Sequence, residues 1–512
     1  EGEITNCNLI EQFRESRNIR DFVNIPGIVM LLDNKLINTG YEKQIPKEDV
    51  YDIDWNDLAT ASDISQFIYQ AFNEEGELVD DHFKNDPRTY ESHRRGKTIA
   101  SLPAAKGCVA RCTFCHRFTQ GIRYIPIETL TSRLLELIEK YNVGFINVVD
   151  EAFGSDVRWL YDFAALMKRH DLLWHVGGMR VNTATPEKLK FMKAAGCSTA
   201  YYGMETGSPT MLKIMEKRVK IEDNYNTIKW TVEEGLATVM QLVVGMPGET
   251  PKTIAETSRF AQYGMSIKPD QLPSNVSINY AQALPGTPLY EYARHNKIIG
   301  QTLEEEEQYL LKISDKDAAD GAEQLNLTNY PKLQCETWKP LIEIEVNYHF
   351  VKRHGIQQYH KQLLDNPRFF PKEPNHSDHL AHSNNLTSSG FAYDSSLNNS
   401  NESFKLKDNK LPSIASLIKV KKLGLLMLCY PILAFKLRRL LTLFILMKYI
   451  AAKRYSLAAI LILEYAWFKL DIINAYRPSR IVPDVSLRKL VSTKYVTLEN
   501  EDEALQPLRE GR

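Results

Sequence analysis

The chain has 512 residues, 43% of them hydrophobic and 25% charged, enough apolar material for one large folded domain with smaller additions, which excludes a disordered or fibrous polymer. Its formal net charge of -1 speaks against nucleic-acid binding by the chain as a whole, and no nucleic-acid partner is expected. The near-zero sum is uneven: Lys405 to Arg480 carries 15 Lys/Arg against 3 Asp/Glu, a local +12 that leaves -13 for the remainder.

The first 95 residues read as a connecting region. They open with Glu1-Gly2-Glu3-Ile4-Thr5, continue through a helix-like stretch and reach the apolar run from Asn24 to Leu32. No charged-then-apolar leader precedes them, so no signal peptide is read and the start is expected to be a truncation. Residues 96–300 alternate short apolar runs with helical patterns, the signature of βα units on a parallel sheet. The predicted strands are Thr98–Leu102, Gly144–Val149, Leu173–Gly178, Thr199–Gly203, Thr238–Val244 and Val276–Gln282. Between the first two, Ile127, Leu130, Leu134, Leu137, Ile138 and Tyr141 recur at helical spacing. Thr185-Pro186 and Thr250-Pro251 are helix-entry signals, and Gly196 is a stop. Six such units in this order predict an α/β fold with a partial, open (β/α)6 barrel.

Residues 301–365 extend the core with helices: Glu304–Glu307 is expected to be a solvated face and Trp338–Arg353 a closing helix. Residues 366–411, rich in Asn, Ser, Pro and His, read as a disordered linker. Residues 412–484 form a basic, apolar helical region, and 485–512 a tail. In 412–484 the apolar runs Leu423–Phe435, Leu440–Met447 and Tyr455–Leu463 are broken by Lys436, Arg438, Arg439, Lys453 and Arg454, and none reaches the roughly 18 apolar residues of a spanning helix. Peripheral contact with a membrane surface reconciles these runs with the charge. Packing on the barrel or on a partner chain is the other arrangement open to them.

Seven cysteines, an odd number and scattered but for one triplet, do not look like a disulfide framework, and a reducing cytoplasm is expected. The triplet is Cys108-Val-Ala-Arg-Cys112-Thr-Phe-Cys115, directly after a predicted strand and in a loop containing Gly107. Three thiolates can ligate three irons of a cubane and leave the fourth iron open, which makes the open iron a substrate site. A zinc site with His116 as fourth ligand is the competing reading of the spacing. Cys197 reads as a core thiol, and Cys7, Cys335 and Cys429 as isolated ones. His376, His379 and His382 lie in the polar linker.

Further segments follow the predicted strands in order: Val149-Asp150-Glu151, Gly178-Met179-Arg180-Val181-Asn182, Gly203-Met204-Glu205-Thr206-Gly207-Ser208, Val244-Gly245-Met246-Pro247-Gly248-Glu249-Thr250 and Leu284-Pro285-Gly286-Thr287-Pro288-Leu289-Tyr290. Each has a bland reading as a helix cap or turn. All, however, lie at the carboxyl ends of strands, where parallel sheets and barrels place ligands. Together with the triplet they resemble the radical S-adenosylmethionine (SAM) superfamily, and most of all its cobalamin-binding subgroup, over the stretch from Ser101 to about Ile299.

The resemblance implies a 4Fe–4S cluster on Cys108, Cys112 and Cys115, with SAM chelated to the open iron and cleaved reductively. It implies that Phe114 lies against the adenine, that Asp150 and Glu151 lie near the methionine amine, that Glu205 meets the ribose, and that Arg180, Ser208 and Gly245 line the cofactor. It also implies a reductant such as flavodoxin or ferredoxin and a small or lipid-like substrate. In the subgroup a cobalamin domain precedes the barrel and ends in a segment like Glu1-Gly2-Glu3, so cobalamin is expected only with that further domain. A noncatalytic or partner-dependent fragment and a methylthiotransferase are the alternative functions.

Overall fold

A run of apolar residues that is buried on both faces has no place in a one-sided antiparallel sheet, and it settles into a parallel sheet covered by helices. Val143–Val148, buried at every position, behaves in this way. The computed structural model describes residues 2–33, 35–40, 42–116, 121–268, 276–300, 302–314, 324–364, 411, 413, 414 and 423–470. The expected linker (Leu411 apart), its three histidines and the expected tail lie outside the described residues. The chain forms two compact units, one taking in Glu1–Ala110 and His116–Gly178, the other Arg111–Cys115 and Met179–Val491.

In the first unit, α1 (Glu3–Glu15) leads to an antiparallel hairpin of β1 (Val29–Leu32) and β2 (Lys35–Asn38). Helix α2 (Trp55–Ala61) is capped by Asp54, whose carboxylate accepts the amides of Asn56 and Asp57. Strand β3 (Ile68–Gln70) lies antiparallel to β4 (Thr98–Ser101), and a second hairpin pairs β5 (Ala105–Cys108) with β6 (Gly121–Tyr124). Then come α3 (Ile127–Tyr141), β7 (Val143–Val148), α4 (Val157–Arg169) and β8 (Leu173–Met179), with β4, β7 and β8 parallel. Phe153, Trp159, Phe163 and Trp174 stack edge and face between α4 and the sheet. A buried polar network crosses the same sheet: Asp80 accepts from Tyr69 (3.2 Å) and Asn147 (3.1 Å), pairs with His82 at 2.5 Å, and His82 stacks on His175 at 3.8 Å.

The second unit continues with α5 (Pro186–Ala194), β9 (Cys197–Glu205), α6 (Pro209–Ile214), α7 (Ile221–Glu233), β10 (Met240–Val244), α8 (Pro251–Ser266), β11 (Val276–Tyr280) and α9 (Pro288–His295). Strands β9, β10 and β11 are parallel neighbours in that order. As expected, Thr185 and Thr250 cap α5 and α8, each with proline in the first turn. Taken in chain order, β4 and β7 to β11 with their helices are the repeats of a partial (β/α)6 barrel in an α/β fold. All six strands fall within two residues of the expected bounds. Strand β9 runs two residues further at each end than predicted, and at its carboxyl end its pairing with β10 continues through a bulge that opposes Leu242 to Glu205.

The helical extension comprises α10 (Leu303–Ser314), α11 (Lys332–Cys335), α12 (Trp338–His354) and α13 (Ile356–Leu364). On α10, Glu304, Glu305 and Glu307 are solvated as expected, whereas Glu306 accepts from the Tyr290 hydroxyl. The basic, apolar region forms α14 (Leu423–Cys429), α15 (Pro431–Leu437), α16 (Leu441–Ala451) and α17 (Tyr455–Lys469). Helix α12 lies along α8 on one side and α15 on the other, and Phe350, Tyr359, Leu363, Leu428 and Cys429 share one core.

Candidate functional site

The cysteine loop starts on the β5–β6 hairpin, with Cys108 the last residue of β5 and opposite Gly121. Gly107, paired with Ile122 inside β5, has φ +92°, a backbone conformation that favours glycine. The amide of Ala110 donates to Cys108 Sγ at 3.4 Å, which fixes the sulfur against the start of the loop. Two positions before Cys108, the buried Lys106 ammonium stands 3.3 Å from Glu3 and 4.9 Å from the Tyr51 ring centroid, tying α1 to this strand.

Asp150 follows β7. Its Oδ1 accepts the amides of Ala104 (2.8 Å) and Ala105 (3.0 Å), so it clamps the entry to β5, while the buried Oδ2 has no hydrogen-bond partner. Burial raises its carboxyl to about 7 against the pull of those two amides, with Glu151 adding to the rise. Glu151 itself is exposed. At the end of β8, a Cβ on Gly178 would stand 2.0 Å from the carbonyl oxygen of Asp150, and Phe153 donates its amide to the Gly178 carbonyl at 2.7 Å. Only glycine admits this approach, so the predicted Gly178 segment serves to seat the Asp150 turn.

In the second unit, Thr113 anchors the rest of the loop. Its amide and hydroxyl donate to the carbonyls of Met215 (3.0 Å) and Ile214 (3.1 Å), and its carbonyl accepts from Leu289 (3.0 Å). Cys112 is buried beside it, Phe114 packs on a cluster containing Met211, Met215, Met246 and Leu289, and Cys115 is exposed. Among the described residues, no three His, Cys, Asp or Glu side chains are gathered to hold one ion.

Glu205 ends β9 at φ +63°, a conformation costly for a residue with a side chain. Its Oε1 accepts from Lys217 Nζ at 2.6 Å, with both side chains buried, and the Lys217 carbonyl accepts from Arg180 Nη2 at 2.6 Å. Burial alone would lower the Lys217 ammonium, but Glu205 and then Cys112 outweigh it and hold it above the ordinary range. A Cβ on Gly203 would come within 2.6 Å of Glu205 Oε1 and 2.8 Å of Lys217 Nζ, which explains the Gly-x-Glu spacing. This unit therefore brings Cys112, Arg180 and Glu205 around Lys217, a residue that no motif singled out.

The two remaining residues predicted to line the cofactor sit differently. Ser208 is fully buried and donates to Glu256 at 2.5 Å, locking β9 to α8 together with the Thr206–Thr257 hydroxyl pair (2.8 Å). Gly245, at φ +86°, and Met246 donate their amides to Glu249 at 2.5 and 3.2 Å. Burial raises the Glu249 carboxyl to about 8 despite both amides. The Gly-x-Pro-Gly-Glu turn is thus closed by its own acid.

Three thiols in one loop at the start of a partial barrel, with charged and glycine-bearing segments at the strand ends, are the features that resemble a radical SAM domain. Residues 102–261 match the radical SAM superfamily. Relatives include an uncharacterized methyltransferase from Pyrococcus horikoshii, 28% identical over 214 residues, which cover 40% of this chain and 44% of that protein. An anaerobic magnesium-protoporphyrin IX monomethyl ester cyclase from Rubrivivax gelatinosus is 25% identical over 268 residues, or 51% of this chain and 43% of the relative. Among solved structures, the radical SAM methyltransferase TsrM from Kitasatospora setae, with cobalamin and a [4Fe-4S] cluster bound, aligns at a TM-score of 0.40 and 17% identity over 58% of this chain and 53% of its own. The chain thus matches less than half the length of these two curated relatives.

Proposed function

We propose that this chain is the radical SAM part of an enzyme acting on a small or lipid-like molecule, with Cys108, Cys112 and Cys115 holding a 4Fe–4S cluster. When bound, that cluster supplies the electron for reductive cleavage of SAM and so opens radical chemistry. The observation that carries the reading is the buried Glu205–Lys217 pair set against Cys112 in the second unit. A buried carboxylate held at φ +63° is preorganised to accept from a ribose hydroxyl. The donor set fits the cluster: three thiols, one already accepting a backbone amide.

In this reading Arg180 orients Lys217, Phe114 offers an apolar face to the adenine, and Asp150 with Glu151 lies toward the methionine amine. Ser208 and Gly245 shape the pocket through the α8 side and the Glu249-closed turn. A protein reductant such as flavodoxin or ferredoxin would deliver the electron, and cobalamin would join only with a cobalamin-binding domain. Peripheral membrane contact through 412–484 completes the proposal. Because the chain matches under half of its curated relatives, activity that depends on a partner or further domain is the second reading. Anaerobic reconstitution tests the first: iron near four per chain with an electron paramagnetic resonance signal that shifts on adding SAM supports it. Stoichiometric zinc without iron, or a signal blind to SAM, rejects it.

A further inference from the structure

A helix that is apolar all round belongs in a core, yet α16 and α17 are apolar all round and covered on one side only. Their inner faces are firmly mounted. Tyr449, Ala458 and Leu461 share a core with Leu333, the Tyr449 hydroxyl donates to Glu336 at 2.6 Å, and the Glu464 carboxylate accepts the Lys332 amide at 3.2 Å. The outer faces repeat at helical spacing: Leu443, Met447 and Ile450 on α16, and Ile460, Leu463, Trp467 and Leu470 along and just past α17. These side chains are left in water, with Met447 at 55%, Ile460 at 61% and Leu470 at 68% exposure. The three-residue turn Ala452–Arg454 makes the two helices a hairpin.

Charge frames this apolar surface. Exposed Lys453 and Arg454 sit at the turn, while Lys436 and Arg439 precede α16 and Lys469 ends α17, so cations stand at both ends of the hairpin. Between Pro431 and Leu470 the one acid is Glu464, which is turned inward to Lys332. The surface is mainly Leu, Ile and Met, with Tyr455 and Trp467 toward the two ends of α17. Protein hot spots favour Trp, Tyr and Arg at the centre, whereas an aliphatic middle with aromatic and cationic margins matches the layers of a bilayer surface. Spanning is excluded for these helices by length: 11 and 15 residues reach about 16 and 22 Å at 1.5 Å per residue, short of a roughly 30 Å hydrocarbon core. No described helix is long and apolar enough to cross.

We propose that the α16–α17 hairpin docks flat on an anionic lipid surface, its outer apolar stripes in the acyl boundary and Lys436, Arg439, Lys453, Arg454 and Lys469 among the headgroups. This deepens the membrane contact in the functional reading above and is independent of cluster chemistry. The test is flotation of the full chain with phosphatidylcholine vesicles, with and without 30% phosphatidylglycerol, at low and high salt. The parent should float with the anionic vesicles at low salt and lose binding at high salt. Ile460→Glu with Leu463→Glu should abolish flotation. Lys453→Gln with Arg454→Gln should weaken it about 30-fold, from the order of 1 kcal/mol per surface cation. Both double variants should keep the parent's SAM cleavage in solution, and Cys112→Ala should float like the parent, which separates this proposal from the cluster. A parent that does not float, equal binding to neutral vesicles, or unchanged flotation of Ile460→Glu/Leu463→Glu overturns it. So does a dimer that this variant splits, which would give the face to a second copy.

Discussion

Replacing Lys217 by Met removes the ammonium that stands 2.6 Å from Glu205 while keeping most of the side chain's volume. Glu205 is then a buried carboxylate without its counter-ion, and breaking a buried pair in this way costs about 3–5 kcal/mol. Glu205 cannot swing out cheaply, because Gly203 and the left-handed backbone at φ +63° fix where its carboxylate lies. Glu205→Gln in the Lys217→Met background removes the stranded charge, so the double variant should recover at least half of the loss. The assay is urea unfolding under anaerobic conditions for parent, both single variants and the double. Iron uptake by Lys217→Met should also fall, since the positive charge beside Cys112 is gone. If Lys217→Met is as stable as the parent, or the double variant is no better than the single, the pair does not hold this site together.

Two more outcomes follow from the geometry. Glu249 is raised from its ordinary 4.5 to about 8, so the folded chain binds its proton more tightly than the unfolded one and stability is lost as pH rises from about 4.5 through 8, by about 4–5 kcal/mol at 1.36 kcal/mol per unit. Glu249→Gln should match the parent at the acid end and exceed it above pH 8 in denaturation midpoints; parallel pH profiles would show that Glu249 is not buried neutral. Gly178→Ala puts a Cβ 2.0 Å from the Asp150 carbonyl oxygen, a contact that must shift the backbone, and a loss of about 2–4 kcal/mol together with lower iron content is expected. Wild-type stability in that variant would mean the Asp150 turn moves freely.

Much of the barrel could be read from the chain because its strands alternate with capped helices at regular spacing. Thr185-Pro186 and Thr250-Pro251 are local devices, and local devices are legible without neighbours. The β5–β6 hairpin is not legible: each strand has four residues, and Cys108, which ends β5, reads as loop. The β1–β2 hairpin was hidden in the same way inside a connecting region. Of the site, the thiols, Arg180 and Glu205 follow from motif order, but Lys217 lies 12 residues beyond its partner across α6, a separation set by tertiary packing. Its one sequence trace is Gly203, whose missing side chain leaves room for the pair. The motif position of Ser208 carries no trace of its partner Glu256 on α8, which is visible only once the helix has folded back.

The central claim is that the three loop cysteines hold a cluster that cleaves SAM. The most direct measurement is 5′-deoxyadenosine formation from SAM by the anaerobically reconstituted full chain with dithionite, beside Cys108→Ala, Cys112→Ala and Cys115→Ala. The account predicts turnover in the parent and none above background in each variant, with the variants still folded by circular dichroism. A parent loaded with iron that forms no 5′-deoxyadenosine, or any one variant that forms it at the parent's rate, would contradict it.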